Sequence, residues 1–130
     1  MFKKLCVSIV VLFALSGIAH EGHDILPGAL KANHGGVIKA GHEINLEYVV
    51  AGAEVKLFPI NHDGKDLNPA EVKLTAMAKI PKGKPESLKI DLKEGVMLTQ
   101  VDFKNAYRVE LSVVAEYQGK KSNFKFQVEK

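Results

Sequence analysis

Hydrophobic and polar residues alternate with a period of two from Gly36 to the last residues of this 130-residue chain. Successive side chains of a β-strand point to opposite faces, so this alternation indicates strands with one buried face. Glycine-, proline- and asparagine-rich turns interrupt the pattern at residues 51–53, 61–64, 81–85, 93–95 and 118–120. The pattern predicts seven or eight strands at spacings of about 8–12 residues.

The predicted fold is an all-β, immunoglobulin-like antiparallel β-sandwich. Residues 70–79 contain good helix formers, but their alternation favours a strand. Leu88, Ile90 and Leu92 predict one short strand. Tyr107 opens the next-to-last strand; there it is either a tyrosine that hydrogen-bonds back across the corner of the sandwich or a half-buried aromatic.

The first residues have the form of a secretory signal peptide. Lys3 and Lys4 precede an apolar run from residue 5 to 15, and Gly17 and Ala19 supply the small residues expected before a cleavage site. The apolar run is shorter than the roughly 20 residues of a membrane-spanning helix. We therefore expect a signal peptide at 1–19, an extended N-terminal arm at 20–33 and the sandwich at 34–130. The expected location is the periplasm, with no stable membrane span after processing.

Cysteine content and charge narrow the candidate functions. The single cysteine, Cys6, lies in the expected signal peptide, so the processed chain would have no disulfide and no thiolate ligand. Any metal site would use nitrogen and oxygen ligands, or Met77 or Met97. Loss of Lys3 and Lys4 would lower the net charge from +3 to +1. Since the remaining lysines are scattered, we expect no nucleic-acid partner.

All five histidines lie in the first half of the chain, and imidazole is a common metal ligand. Cleavage after Ala19 would make His20 the first residue, whose α-amine and imidazole can chelate one ion together. The candidate ligands are His20, His23, His34, His42, Glu47 and His62.

Strand order separates these residues into two candidate sites. If the first strand runs from His34 toward His42, then His42 and His62 share one end of the sandwich and His34 lies near the other. The first hairpin would bring Glu47 toward His34. A site could use His34 with Glu47 and the arm, or His42 with His62 and the arm, and the residues alone do not choose between them.

Nothing in the sequence forms a recognisable catalytic constellation. Ser112 and Ser122 lack the context of a nucleophile elbow, and His42-Glu43 does not continue into a zinc-protease motif. Gly35-Gly36 opens a strand rather than a helix, so it is not a phosphate-binding loop. We expect the protein not to be an enzyme.

Two stretches read Asn-His-Gly-Gly-Val at 33–37 and Gly-His-Glu-Ile-Asn-Leu-Glu-Tyr-Val at 41–49. Together with segments at 55–59 and 63–67, they resemble a small periplasmic domain found with heavy-metal efflux adaptors and in short exported proteins. The resemblance covers about residues 22–92. It implies a β-sandwich associated with transition metals, makes His34 a candidate ligand and, more weakly, His42 and Glu47. The chain lacks the helical hairpin and lipoyl-like parts of an adaptor.

The chain is also loosely similar to the C-type periplasmic copper-resistance proteins, which are small cysteine-free sandwiches. Their mature chain starts with a histidine that holds Cu(II), and only His20 corresponds to that feature here. We therefore expect an exported protein that binds Cu(II), with Zn(II) possible, and buffers or delivers it near a periplasmic efflux component. The alternative is a metal-free sandwich for protein–protein contact in the cell envelope.

Overall fold

A computed structural model describes residues 30–130. The expected signal peptide and most of the expected arm, including His20 and His23, lie outside these described residues. The described part is all β, with two antiparallel sheets. This confirms the predicted fold class.

The first sheet has five strands in the described chain, in the order β1-β2-β3-β7-β6. These strands are β1 (Val37–Lys39), β2 (Asn45–Ala51), β3 (Glu54–Ile60), β6 (Asp91–Lys93) and β7 (Val96–Gln100). β2 and β3 form a hairpin in which Ala51 pairs with Glu54, and Gly52 takes the positive φ of +65° that the tight link requires.

The second sheet has four strands in the same part of the chain, in the order β5-β4-β8-β9. They are β4 (Val72–Lys79), β5 (Glu86–Leu88), β8 (Arg108–Tyr117) and β9 (Lys120–Glu129). A helix was the alternative to a strand for residues 70–79. The structure instead has a 3₁₀ turn at Pro69–Glu71, followed by β4. β4 pairs with β8 from Val72 to Lys79, which settles the choice in favour of the strand.

The strand order is that of an immunoglobulin-like sandwich. β2, β3, β7 and β6 occupy the places of strands A, B, E and D, while β4, β8 and β9 occupy those of C, F and G. β1 and β5 are short additions at the edges. The described chain therefore has nine strands rather than seven or eight.

The prediction of one strand at Leu88, Ile90 and Leu92 was wrong. Leu88 pairs with Ala76 in the second sheet, whereas Leu92 pairs with Met97 in the first. The chain crosses between sheets at residues 89–90, where the Thr99 hydroxyl donates a hydrogen bond to the Lys89 carbonyl at 2.9 Å. A continuous period of two does not reveal such a crossing.

The inward faces of the two sheets form one hydrophobic core. Leu46, Val55 and Leu57 of the first sheet lie in the same cluster as Leu111 and Val113 of the second, and each is at most 1% exposed. Burying one such side chain contributes roughly 1.5–3 kcal/mol to folding.

Two contacts join β2 and the loop before it to β9. The ring of Tyr48 stacks on that of Phe126 at 3.7 Å between centroids. The buried Ser122 hydroxyl accepts hydrogen bonds from the backbone N–H groups of Glu43 at 2.8 Å and Ile44 at 3.4 Å. These contacts tie the His42-bearing loop to the second sheet.

Tyr107 does not form a corner across the sandwich. Its side chain is 67% exposed, and its backbone carbonyl accepts the N–H of Lys130 at 2.8 Å. The expected half-buried alternative is also wrong, because the ring lies outside the core.

Within residues 30–130, we find no helix long and apolar enough to span a bilayer.

We predict that Leu111→Ala lowers the free energy of unfolding by about 2–5 kcal/mol, because it opens a cavity in a fully buried part of the core. Leu92→Ala is the matched control: Leu92 is 58% exposed, so its truncation should change stability by less than about 0.5 kcal/mol. Urea unfolding followed by circular dichroism measures both. Equal losses in the two variants would show that the inward register of β8 is misassigned.

Candidate functional site

Glu47 is a buried carboxylate on the outer face of the first sheet. Leu46 and Tyr48 belong to the core packing, so Glu47 between them points outward. Its exposure is nevertheless 0%. Residues 30–36, which we call the N-terminal strap, supply the groups that bond it.

Three backbone N–H groups of the strap donate to Glu47. Asn33 N–H donates to Oε1 at 3.0 Å, while His34 and Gly36 N–H donate to Oε2 at 2.8 and 2.9 Å. A buried carboxylate needs such partners, since its desolvation is costly when they are missing. Glu47 therefore approaches His34 as expected, but through the backbone rather than the imidazole. Both oxygens of Glu47 thus accept hydrogen bonds from the strap.

The two glycines of the motif let the strap close over this carboxylate. Gly35 has a φ of +76°, a conformation that side chains rarely adopt. A Cβ added to Gly36 would lie 2.2 Å from the backbone oxygen of Tyr48. The backbone path thus requires the two glycines, whatever the histidine does.

The imidazole of His34 is held on two sides. Its ring stacks on Phe58, the cross-strand neighbour of Glu47, with 3.7 Å between centroids and an interplanar angle of 11°. Its Nε2 lies 2.9 Å from Oδ2 of Asp66. Asn33 Nδ2 donates to the other oxygen of Asp66 at 3.2 Å and to the carbonyl of Gly64 at 2.8 Å.

These contacts favour one tautomer of His34. Asp66 is exposed and its carboxylate can only accept, so the proton between the two groups belongs to Nε2. The neutral ring then carries its lone pair on Nδ1. The His34 side chain is 32% exposed, so the ring is only partly covered.

The loop between β3 and the 3₁₀ turn carries both Asp66 and His62. Asn61 organises it, because its side-chain oxygen accepts the N–H groups of Asp63 at 2.8 Å and Lys65 at 3.0 Å. Leu30 packs against this loop, since a Cβ added to Gly64 would lie 3.5 Å from Leu30 Cδ2. The described chain therefore enters the sandwich beside this loop.

His34 was predicted to lie at the opposite end of the sandwich from His42 and His62, and this prediction was wrong. Gly35 and Gly36 turn the chain back over the sheet, so His34 bonds the loop that bears His62 instead of lying at the far end of β1. The register is consistent with the other half of the prediction. The loop of His42 precedes Asn45, which pairs with Ile60 just before His62.

The other two candidate histidines within residues 30–130 are exposed on loops. His42 is 79% exposed, with Nδ1 3.8 Å from its neighbour Glu43, and His62 is exposed in its turn. Among residues 30–130, no three histidine, cysteine, aspartate or glutamate side chains converge in a way that could hold a metal ion. His20 and His23 lie outside this range.

Sequence reasoning missed Asp66, Phe58 and Asn33. Phe58 could have been found, because the tight link at Gly52 fixes the register that sets Phe58 opposite Glu47. Asp66 could not, since its approach to His34 depends on the path of a loop.

Known proteins show similarity in fold only. No protein-family model and no curated protein sequence matches the chain. A crystal structure of a DUF4426 family protein from Pseudomonas aeruginosa PAO1 is similar, with a TM-score of 0.58 and 19% sequence identity over 72% of this chain and 96% of that chain. At this identity the similarity supports the β-sandwich and nothing finer.

We predict that Glu47→Gln lowers the free energy of unfolding by about 1–3 kcal/mol. The amide offers one acceptor oxygen and turns N–H groups toward a backbone donor, which leaves a buried polar group unpaired. Glu129→Gln, on the exposed end of β9, is the control and should have little effect. Hydrogen exchange should also lose protection at the amides of Asn33, His34 and Gly36. Unchanged protection at these three amides would contradict the assigned role of Glu47.

Proposed function

We propose that this protein is an exported, periplasmic, non-enzymatic metal-binding protein. It binds Cu(II), with Zn(II) as second choice, and buffers or delivers the ion near a heavy-metal efflux system. His34 is the ligand on the sandwich, and the histidines of the N-terminal arm supply the others.

The observation that carries this proposal is the His34–Asp66 pair. In metal sites, a ligating histidine commonly donates its second ring N–H to a carboxylate, which fixes the tautomer and orients the ring. Here Asp66 accepts from Nε2 at 2.9 Å, and the stack on Phe58 restricts the ring. Nδ1 is the nitrogen left to ligate.

The path of the strap supports a contribution from the arm. Residues 30–130 offer no three converging ligands. In this proposal, the ligands other than His34 therefore come from outside this range. Leu30 lies against Gly64, in the loop that bonds His34. Seven residues span at most roughly 25 Å, so His23 is within reach of this loop from Leu30.

Donor chemistry supports the choice of metal. The expected mature chain has no cysteine, so imidazole, amine and carboxylate are the main donors. Such donors bind Cu(II) more tightly than the other divalent first-row ions. When bound, the ion would be cargo, and no reaction step is assigned to it.

The location and the efflux connection rest on sequence resemblance. The form of residues 1–19 supports export, and the Asn-His-Gly-Gly-Val segment resembles the periplasmic domain associated with metal efflux. Both glycines of this segment also serve the fold.

We predict that Cu(II) binds the exported protein more tightly than about 10 μM, after intact mass has confirmed His20 as the first residue. Deleting residues 20–24 should weaken binding by about tenfold or more, which is about 1.4 kcal/mol. His34→Ala should produce a loss of similar size. Calorimetric titration with Cu(II) and Zn(II) measures all three.

His42→Ala is the matched control for this titration, since His42 is 79% exposed on a loop tied to β9. It should change the affinity by less than about twofold. Circular dichroism checks that each variant is folded. Binding weaker than about 10 μM in the wild type would refute the proposal and favour the envelope-contact function.

We predict that Asp66→Asn allows His34 to adopt either tautomer, because an amide can donate to Nε2 as well as accept from it. The metal affinity should fall about 10- to 100-fold, as it does when other groups that orient a ligating histidine are changed. Nitrogen-15 spectra of the metal-free protein report the tautomer directly. If the wild-type ring is protonated on Nδ1, the proposed ligating atom is wrong even if metal binds.

A further inference from the structure

A second surface lies at one end of the second sheet, where β4 ends and β8 begins. We call it the Arg108 surface and define it by Lys79, Pro81, Tyr107, Arg108 and Glu110. Two depressions of about 180 and 340 Å³ meet there, since Pro81 and Arg108 line both. His34 and Asp66, the described part of the proposed metal site, do not line it.

Arg108 is exposed and takes part in none of the ion pairs formed within residues 30–130. Glu110 lines the same depression, and Glu129 is the register partner of Arg108 on β9, yet neither forms an ion pair with it. A guanidinium left open in this way presents a planar fork that matches a carboxylate.

Tyr107 gives the surface an apolar wall. Its side chain is 67% exposed, the largest exposed fraction among the large hydrophobic side chains of residues 30–130. Its backbone is fixed by hydrogen bonds, because Ala106 N–H donates to Phe103 and Lys130 N–H donates to Tyr107, both at 2.8 Å. Tyrosine and arginine dominate the energetic centres of protein–protein interfaces.

The surrounding charge is mostly positive. Lys79 lines the smaller depression, and Lys82 and Lys84 lie on the adjoining turn. Lys104 lies on the other side of that turn, and its positive charge is balanced by Glu86. The hydrogen bond between them, at 2.8 Å, raises the pKa of the Lys104 ammonium group. The acidic groups at the surface itself are Glu110 and Glu129.

We propose that the Arg108 surface docks an extended acidic segment of a partner protein. A carboxylate of the segment would pair with Arg108, and apolar or proline residues beside it would pack on Tyr107 and Pro81. The complementary charge favours an anionic partner. The open setting of Tyr107 favours a macromolecule, because a small-molecule site would enclose most of its ligand.

The test titrates the full folded protein with a blocked synthetic peptide of alternating Glu and Ala residues around a central Pro. Amide shift changes in nitrogen–proton spectra should concentrate at Lys79, Tyr107, Arg108 and Glu110. The same peptide with Gln in place of Glu should not bind. Arg108→Gln should weaken binding by about tenfold, and Tyr107→Ala should also weaken it.

Lys93→Gln is the matched control, because Lys93 is an exposed cation on β6 of the other sheet. It removes the same charge and should change the affinity by less than about twofold. Undisturbed amide shifts elsewhere show that each variant is folded.

Several outcomes would overturn this proposal. They are an absence of shifts at about 1 mM peptide, shifts spread over lysines on all faces, equal binding of the Gln peptide, and an Arg108→Gln affinity equal to wild type. Succinate binding as tightly as the peptide would identify a small-molecule site. Arg108-dependent binding to anionic phosphatidylglycerol vesicles without peptide binding would identify a membrane-surface site.

Discussion

The hydrogen bonds between Glu47 and the strap are the interaction on which the rest of the site depends. The carboxylate lies on the face of the sheet that would otherwise meet water, and three backbone N–H groups of residues 33–36 enclose it. Because these bonds fix the backbone of His34, they also fix the position of its ring. Stacking on Phe58 and the bond to Asp66 then set its orientation. A single buried charge thus organises the strap, the imidazole and the point at which the described chain enters the sandwich.

The fold keeps this site apart from the Arg108 surface. The His34 cluster lies on the outer face of the first sheet, whereas Arg108 and Tyr107 lie at an end of the second. The hydrophobic core separates them and is complete without either. The proposed metal binding on the strap side and the proposed partner docking on the other side would therefore be independent of each other. A protein that delivers an ion near an efflux component would need both kinds of surface, one for the cargo and one for the recipient.

The similarity to the DUF4426 family protein concerns the fold and does not extend to function. The two chains have a β-sandwich in common at 19% identity, and a sandwich of this kind accepts many unrelated functions in its loops and on its outer faces. Metal binding and docking of an acidic partner are therefore proposed from particular side chains: His34, paired with Asp66, and Arg108, whose guanidinium is open.

The sequence by itself determined most of the strands, their inward-facing residues and most of the turns, because these follow from a local period of two and from glycine conformations. The alternation correctly favoured the strand β4 over a helix, and the residue types at 61–64 correctly predicted a turn. Tertiary structure alone decided that residues 86–93 divide between two sheets, that Glu47 is buried, and that His34 joins the loop of Asp66. Alternation tells which face of a strand a side chain occupies, but not what covers that face. The covering segments are loops whose paths are set by contacts distant in sequence, such as the 32-residue separation between His34 and Asp66.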